Sequence, residues 1–296
     1  MGIFDDLRLK YNTGQLPVKF IFINVALFLV VRLADVCCIL LGNTFSAAPY
    51  LELPSDLTVL LHRPYTLLTY MFFHYDVLHL LFNMLWLYWF GQLFLLFFNA
   101  KQFGGLYILG GISGALLYLL AYNLLPYFAD SRGMLLGASA AVLAVVLAVS
   151  AYAPDYKIRL LLLGNVSLKY IALATVVLDL LSMTSHNAGG HIAHLGGALF
   201  GYLFATSYKK GRDLTKGFNR LADQIVLLFK KRPRKGGPKI RTSRQGYARK
   251  PSDDEYLRRR QENTAEIDRI LDKIKQSGYS SLSREEKQRL FDAGKK

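Results

Sequence analysis

The sequence predicts an all-α polytopic membrane protein, a bundle of six transmembrane helices followed by a basic, helical cytoplasmic tail. Two observations predict it. Hydrophobic residues make up 52% of the 296-residue chain, mean hydropathy is +0.24, and the apolar residues gather in runs of membrane-spanning length rather than spreading as in a soluble domain. The charge is equally uneven: residues 209–296 hold 26 of the 36 Lys and Arg and 12 of the 21 Asp and Glu, so nearly all of the formal net charge of +15 belongs to the tail.

The elements follow in order. Residues 1–16 are polar and form an N-terminal cytoplasmic segment. The first apolar run, 17–41, is too long for the core of a signal peptide. It holds the only two cysteines, Cys37 and Cys38, and such neighbours do not form an unstrained disulfide. It also holds Arg32 and Asp35, three residues apart and able to satisfy each other. Further runs at 79–98, 103–125, 137–153, 170–183 and 190–208 complete a six-helix core over 17–208. Between the first two runs, 42–78 carries an aromatic stretch, Tyr65–Phe73. It is too short to span and too apolar for a solvated loop, and it reads as a substructure lying in the membrane interface.

The tail divides in two. Residues 209–252 are an amphipathic segment and a basic linker. Leu214, Phe218, Leu221, Ile225 and Leu228 recur at helical spacing among basic residues, as in a helix on the inner leaflet, and 232–252, rich in Arg, Lys, Gly and Pro, reads as disordered. Residues 253–296 read as a small helical hairpin with a turn at Ser277-Gly278 and a capping box, Ser283-Arg284-Glu285-Glu286, opening its second helix. Nothing in the tail is a nucleic-acid motif. A basic segment after a membrane helix marks the cytoplasmic side and attracts anionic lipid. With both termini inside a plasma (inner) membrane, Lys101, Lys157, Arg159 and Lys169 also fall inside.

This orientation makes the second, fourth and sixth helices run from outside to inside, so their first residues lie at a similar depth. Those residues include His79, Ser139 and His194. The fourth run is also short, about 25 Å as helix against a hydrocarbon core of about 30 Å. Ser139 therefore starts below the surface, in a cavity that 126–136 and 184–190 could roof. Gly110 and Gly114, Gly197 and Gly201, and the small face of Ala140, Ala141 and Ala144 permit the close helix approach that a serine–histidine contact requires.

Each polar group has a chemical reading. A serine at a helix start lies beside backbone N–H groups without intrahelical partners, which can hold an oxyanion. An intramembrane histidine is costly without a function or partner and has the pKa of a general base. His79 and Asn83, four residues apart, share a helix face and can both donate hydrogen bonds. His191 shares a face with His194; it reads first as solvent-facing, with lining the cavity or tuning the base as the alternative. His74 and His186 read as outer loop residues, and Asp179 as bonding loop backbone.

Taken together, Arg63-Pro64-Tyr65-Thr66, His74, His79-Leu80-Leu81-Phe82-Asn83, Gly137-Ala138-Ser139 and Ala193-His194-Leu195-Gly196-Gly197 through Gly201 resemble the rhomboid intramembrane serine proteases, of bacterial type. The resemblance covers 17–208 with the motifs in family order. It implies a rhomboid-like bundle, a serine endopeptidase without cofactor or metal, and single-span transmembrane proteins as substrates. It implies a catalytic dyad of Ser139 and His194 without an acidic third member, and an oxyanion site of His79, Asn83 and the Ser139 N–H beside Gly137. Two positions depart from the family pattern. Ala140 follows the serine where glycine is frequent, which narrows the approach, and Leu143 stands where an aromatic residue often stacks on the histidine. The alternatives are a non-catalytic rhomboid-like protein that binds transmembrane helices and a histidine-rich metal-binding membrane protein.

Overall fold

The computed structural model describes residues 11–160, 164–185, 187–229, 269–275, 277, 278 and 281–293. It divides into two units, 1–231 and 232–296. In the first, six apolar helices each fall on one of the six apolar runs, to within three residues at either end: α1 Leu16–Leu40, α2 Val77–Phe97, α3 Ala100–Leu124, α4 Ser139–Tyr152, α5 Leu168–Leu181 and α6 Ala188–Lys209. By length and composition α1, α2 and α3 are able to cross a membrane. At 14 residues α4 and α5 are shorter. Helix α6 is long enough, but glycines and two histidines dilute its hydropathy.

Local chemistry sets the helix starts. Proline stands in the first turn of α1, where its missing N–H costs nothing. The Asp76 carboxylate accepts from the His79 N–H at 2.8 Å and caps α2. Asn99 and Gln102 form a reciprocal capping box on α3, each side chain accepting from the other's backbone N–H at 3.0 Å. These side chains occupy orphan donors of the first turn that have no intrahelical partner.

Helix α4 is the centre of the bundle, and every residue from Ala140 to Ser150 is buried. The predicted small-residue faces account for this. Gly197 and Gly201 of α6 lie against the backbone carbonyls of Ala140 and Ala144, and Gly110 of α3 lies against the Ala144 methyl. A methyl placed at Gly114 would stand 2.6 Å from Cβ of Ala140 and 2.7 Å from the Ala193 carbonyl. The Ser113 hydroxyl donates to the Gly196 carbonyl at 2.8 Å and ties α3 to α6. Large apolar side chains on the outer helices, such as Val30, Leu33, Leu173 and Leu181, are exposed, as a lipid-facing surface requires.

The stretch before α2 packs one side on the core and leaves Tyr65 and Leu68 exposed. It forms a short helix, Thr66–Thr69, and a 3₁₀ turn, Tyr70–Phe72, whose Tyr70 and Met71, with Phe73, are buried in the core. The Tyr70 hydroxyl donates to the Gly111 carbonyl at 2.6 Å, and the Tyr107 hydroxyl donates to the Met71 carbonyl at 3.1 Å. Gly111 leaves the room that Met71 fills, since a methyl there would come 2.6 Å from its Cε. Two antiparallel strand pairs also form, β1 Leu53–Pro54 with β2 Met134–Leu135 and β3 Lys157–Leu160 with β4 Gly164–Ser167. In α1, Arg32 and Asp35 pair at 3.7 Å as expected, and Asp35 also accepts from the Ala47 N–H at 3.3 Å.

After α6, α7 Lys216–Phe229 leaves Leu221, Ile225 and Leu228 exposed. It meets the start of α3 through Lys101 and Asp223 at 2.7 Å, and the Gln102 amide donates to Asp213 at 2.9 Å. Taken by itself, the second unit holds α8, Arg284–Ala293. The expected capping box is present: the Ser283 N–H donates to Glu286 at 2.7 Å and the Glu286 N–H to the Ser283 hydroxyl at 3.2 Å. The linker 232–252 and the first ten residues lie outside the described residues.

Candidate active site

The backbone that delivers Ser139 to the head of α4 is held at three points. The Gly137 N–H donates to the Tyr70 carbonyl at 2.9 Å. Gly137 itself has φ +113°, a region costly for any residue with a β-carbon. The Ala138 N–H then donates to Nε2 of His74 at 3.2 Å. The expectation that His74 is a surface loop residue is therefore corrected: it is wholly buried, because the turn before Ser139 needs an acceptor there. Burial pushes its imidazole down to about 3, which keeps Nε2 a lone-pair acceptor.

Helix α2 brings His79 and Asn83 to the same place. The His79 ring lies over Gly137, close enough that a β-carbon at 137 would come 2.7 Å from Cε1. The Asn83 amide donates one hydrogen to the His79 carbonyl at 2.9 Å and retains its second for another acceptor.

Helices α5 and α6 supply the rest, and here two expectations are corrected. Asp179 does not bond loop backbone, and His191 does not simply face solvent. One carboxylate oxygen of Asp179 lies 2.8 Å from Nδ1 of His194 and 2.8 Å from Nδ1 of His191. The reason is chemical: a carboxylate buried on an apolar helix needs partners, and the two imidazoles, one turn apart, reach it together. His186 lies outside the described residues, and His62 is exposed and bonds the Thr58 carbonyl at 2.8 Å.

Side chains from α2, α4, α5 and α6 line an open cavity of about 290 Å³, among them His79, Asn83, Ser139, Leu143, Asp179 and His194. Among the described residues, neither 126–136 nor 184–190 lines it. The two departures around the serine also resolve. The Ala140 methyl faces Gly114 and not the cavity, so it does not narrow the approach. Leu143 lines the cavity, while His194 is held through Asp179.

The sequence-predicted residues Ser139, His194, His79 and Asn83 thus share one cavity, with Gly137 packed under His79. Missed from the sequence were the pairing of Asp179 with His194 and the burial of His74, while the contact of His191 with Asp179 agrees with its second reading. The available signal for Asp179 was an acid on an otherwise apolar helix. Among the described residues Ser139 and His194 share no direct hydrogen bond; such contacts tighten when substrate binds. Chemically the site offers a hydroxyl nucleophile, an imidazole whose Nε2 is free, and polar donors from His79 and Asn83. Asp179, His191 and His194 each present one ligand atom within 4.8 Å of one another, a set that could also hold a metal ion.

Residues 61–210 match the family profile of the Rhomboid domain. Residues 252–296 match a family of unknown function (DUF6576). The chain is 32% identical over 136 residues to "Presenilin-associated rhomboid-like protein A, mitochondrial" of Danio rerio, covering 44% of this chain and 34% of that protein. It is 30% identical over 161 residues to "RHOMBOID-like protein 12, mitochondrial" of Arabidopsis thaliana, covering 51% of this chain and 48% of that protein. The chain therefore spans about a third of the first relative and about half of the second.

Proposed function

The chain belongs to the rhomboid family, and from that premise we propose that it is an intramembrane serine endopeptidase cutting transmembrane-helix substrates near the outer membrane face. The observation that carries this reading is the shared cavity: a serine from α4 and a histidine from α6 line it with His79 and Asn83. Ser139 Oγ attacks a peptide carbonyl while Nε2 of His194 takes its proton. The carbonyl electron pair moves onto oxygen, held by the His79 side chain, the Asn83 amide and the Ser139 N–H. The proton then passes to the leaving amine as the C–N bond breaks, leaving an ester on Ser139; a water attacks that ester as its proton moves to His194, and the proton returns to Oγ as the carboxylic acid leaves. Substrate helices are single spans that unwind locally, because a helical peptide bond is shielded from attack.

The six apolar helices act as six spans, with both termini cytoplasmic in the plasma (inner) membrane, and the basic tail contacts anionic lipid. The relatives named above are mitochondrial by their names, and that address belongs to them. A rhomboid-like protein that only binds helices has no need for Ser139 and His194 in one cavity. The metal reading has one specific observation in its favour, the Asp179–His191–His194 set, but it leaves Ser139 and Asn83 without a role.

The test is cleavage of a transmembrane reporter in liposomes with a chelator present throughout. Ser139→Ala and His194→Ala should each abolish cleavage, and the parent should stay active without metal. Cleavage near the parental rate by either variant overturns the dyad. Loss of parental activity in chelator, restored by a divalent metal, moves the assignment to the metal reading.

A further inference from the structure

The reading above uses two reacting residues, and it rests on a base, His194, whose ring must present Nε2 to the serine. The structure holds that ring from behind. Asp179 on α5 is buried at 7% exposure, and its Oδ1 lies 2.8 Å from Nδ1 of His194. A carboxylate oxygen only accepts, so Nδ1 of His194 must carry the hydrogen. In the neutral ring this leaves the lone pair on Nε2. The same oxygen takes a second hydrogen bond from Nδ1 of His191 at 2.8 Å, which pins the carboxylate from another direction.

We infer that Asp179 is the positioning residue of this site, making a Ser139–His194–Asp179 relay in place of a bare dyad, with His191 steadying the acid. The inference rests on the proteolytic reading. In the attack step the Oγ–carbon bond forms as the Oγ proton moves to Nε2, and the imidazolium so formed has a fixed anion on its other nitrogen. Asp179 keeps its charge throughout and only stabilises that cation. This arrangement also answers the missing aromatic neighbour: with Leu143 one turn beyond the serine, the orientation of His194 comes from α5 by hydrogen bond and not from α4 by stacking.

The polar groups that line the cavity with His194 are His79 and Asn83 of α2, Ser139 of α4, and Asp179 and Thr175 of α5, and His191 of its own helix meets the same carboxylate. Asp179→Asn preserves shape and removes the charge. In liposomes with chelator, its kcat should fall about 100-fold or more with KM little changed. Asp179→Glu should recover part of kcat, and His191→Gln should cost less than Asp179→Asn. A merely structural role would lower the folded fraction and leave kcat per folded molecule and KM unchanged.

If the Asp179 variants do not fold, the parent alone decides: nitrogen NMR of labelled histidine should show the His194 proton on Nδ1 at neutral pH. Kcat per folded molecule within about threefold of parent for Asp179→Asn, or a parental His194 proton on Nε2, overturns the inference. Inactive Ser139→Ala beside fully active Asp179→Asn would sink this inference alone. Active Ser139→Ala would sink the proteolytic reading itself.

Discussion

The His79 imidazole lies on the bare α-carbon of Gly137: a β-carbon at 137 would come 2.7 Å from ring Cε1 and 3.0 Å from Nε2. The residue that lets the chain turn into Ser139 is therefore also the floor under His79, the proposed oxyanion donor. Two independent constraints, φ +113° and this contact, forbid a side chain there.

Gly137→Ala should accordingly lose both stability and activity. The backbone strain costs about 1–3 kcal/mol, and displacing His79 should lower kcat by about tenfold or more. Combining it with His79→Ala removes the ring that the methyl strikes, so part of the stability should return while activity stays low. Unfolding in detergent and reporter cleavage check both arms. If the double variant is no more stable than Gly137→Ala, the contact with His79 is not what the glycine serves.

His74 gives a pH dependence of stability with a definite sign. Its imidazole is held down to about 3 when folded, against about 6.5 when unfolded. The unfolded chain thus binds the extra proton between those values. The stabilisation is full above pH 6.5 and is lost as pH falls toward 3, with a slope of at most about 1.4 kcal/mol per pH unit from this group. His74→Gln keeps an acceptor near the Ala138 N–H and cannot titrate, so its thermal midpoint should fall less than the parent's between pH 7 and 5. Parallel curves for the two proteins would show that His74 does not carry the effect.

How far the sequence could be read follows from distance along the chain. Ser139, His194, His79 and Asn83 were legible because each sits near a helix start or at fixed spacing on one helix, and periodicity fixes depth and face. The partnership of Asp179 with His194 was not, because it crosses between α5 and α6, and their relative rotation is set by packing that no local pattern encodes. His74 was misjudged for the same reason. Its partner is the Ala138 N–H, 64 residues away. The two-residue pairing of β1 with β2 is too short to leave an alternation. The glycine faces, in contrast, were legible in full, since small residues at helical spacing state which side of a helix will be approached.

Those faces make a double-substitution cycle possible at Gly110 and Ala144. A methyl at Gly110 would collide with the Ala144 methyl and with little else, the next atoms being 3.8 Å away. Gly110→Ala should destabilise by about 1–3 kcal/mol. Ala144→Gly alone should cost about 1 kcal/mol of helix propensity. Together they should cost clearly less than the sum, because the second change removes the atom that the first one strikes. Gly201→Ala offers no such rescue, since its methyl would meet the Ala144 carbonyl, which is backbone. Additive costs for the Gly110–Ala144 pair would mean that α3 and α4 are not in contact there.

The six-span arrangement predicts which loops share a side of the membrane. Asp130, in the loop before α4, and Arg212, just after α6, are both exposed and are separated by α4, α5 and α6. Three crossings must put them on opposite faces, with 212 beside the basic tail inside. After Cys37 and Cys38 are replaced by serine, single cysteines at 130 and 212 should react differently with a membrane-impermeant maleimide in sealed right-side-out vesicles. Position 130 should label at once and position 212 only after detergent is added. Labelling of both without detergent would mean that one of the short helices α4 and α5, or α6, does not cross. The reverse pattern would turn the bundle over and put the Ser139 cavity near the inner face. Because α4 starts at Ser139, the same experiment fixes the side on which a substrate must be cut.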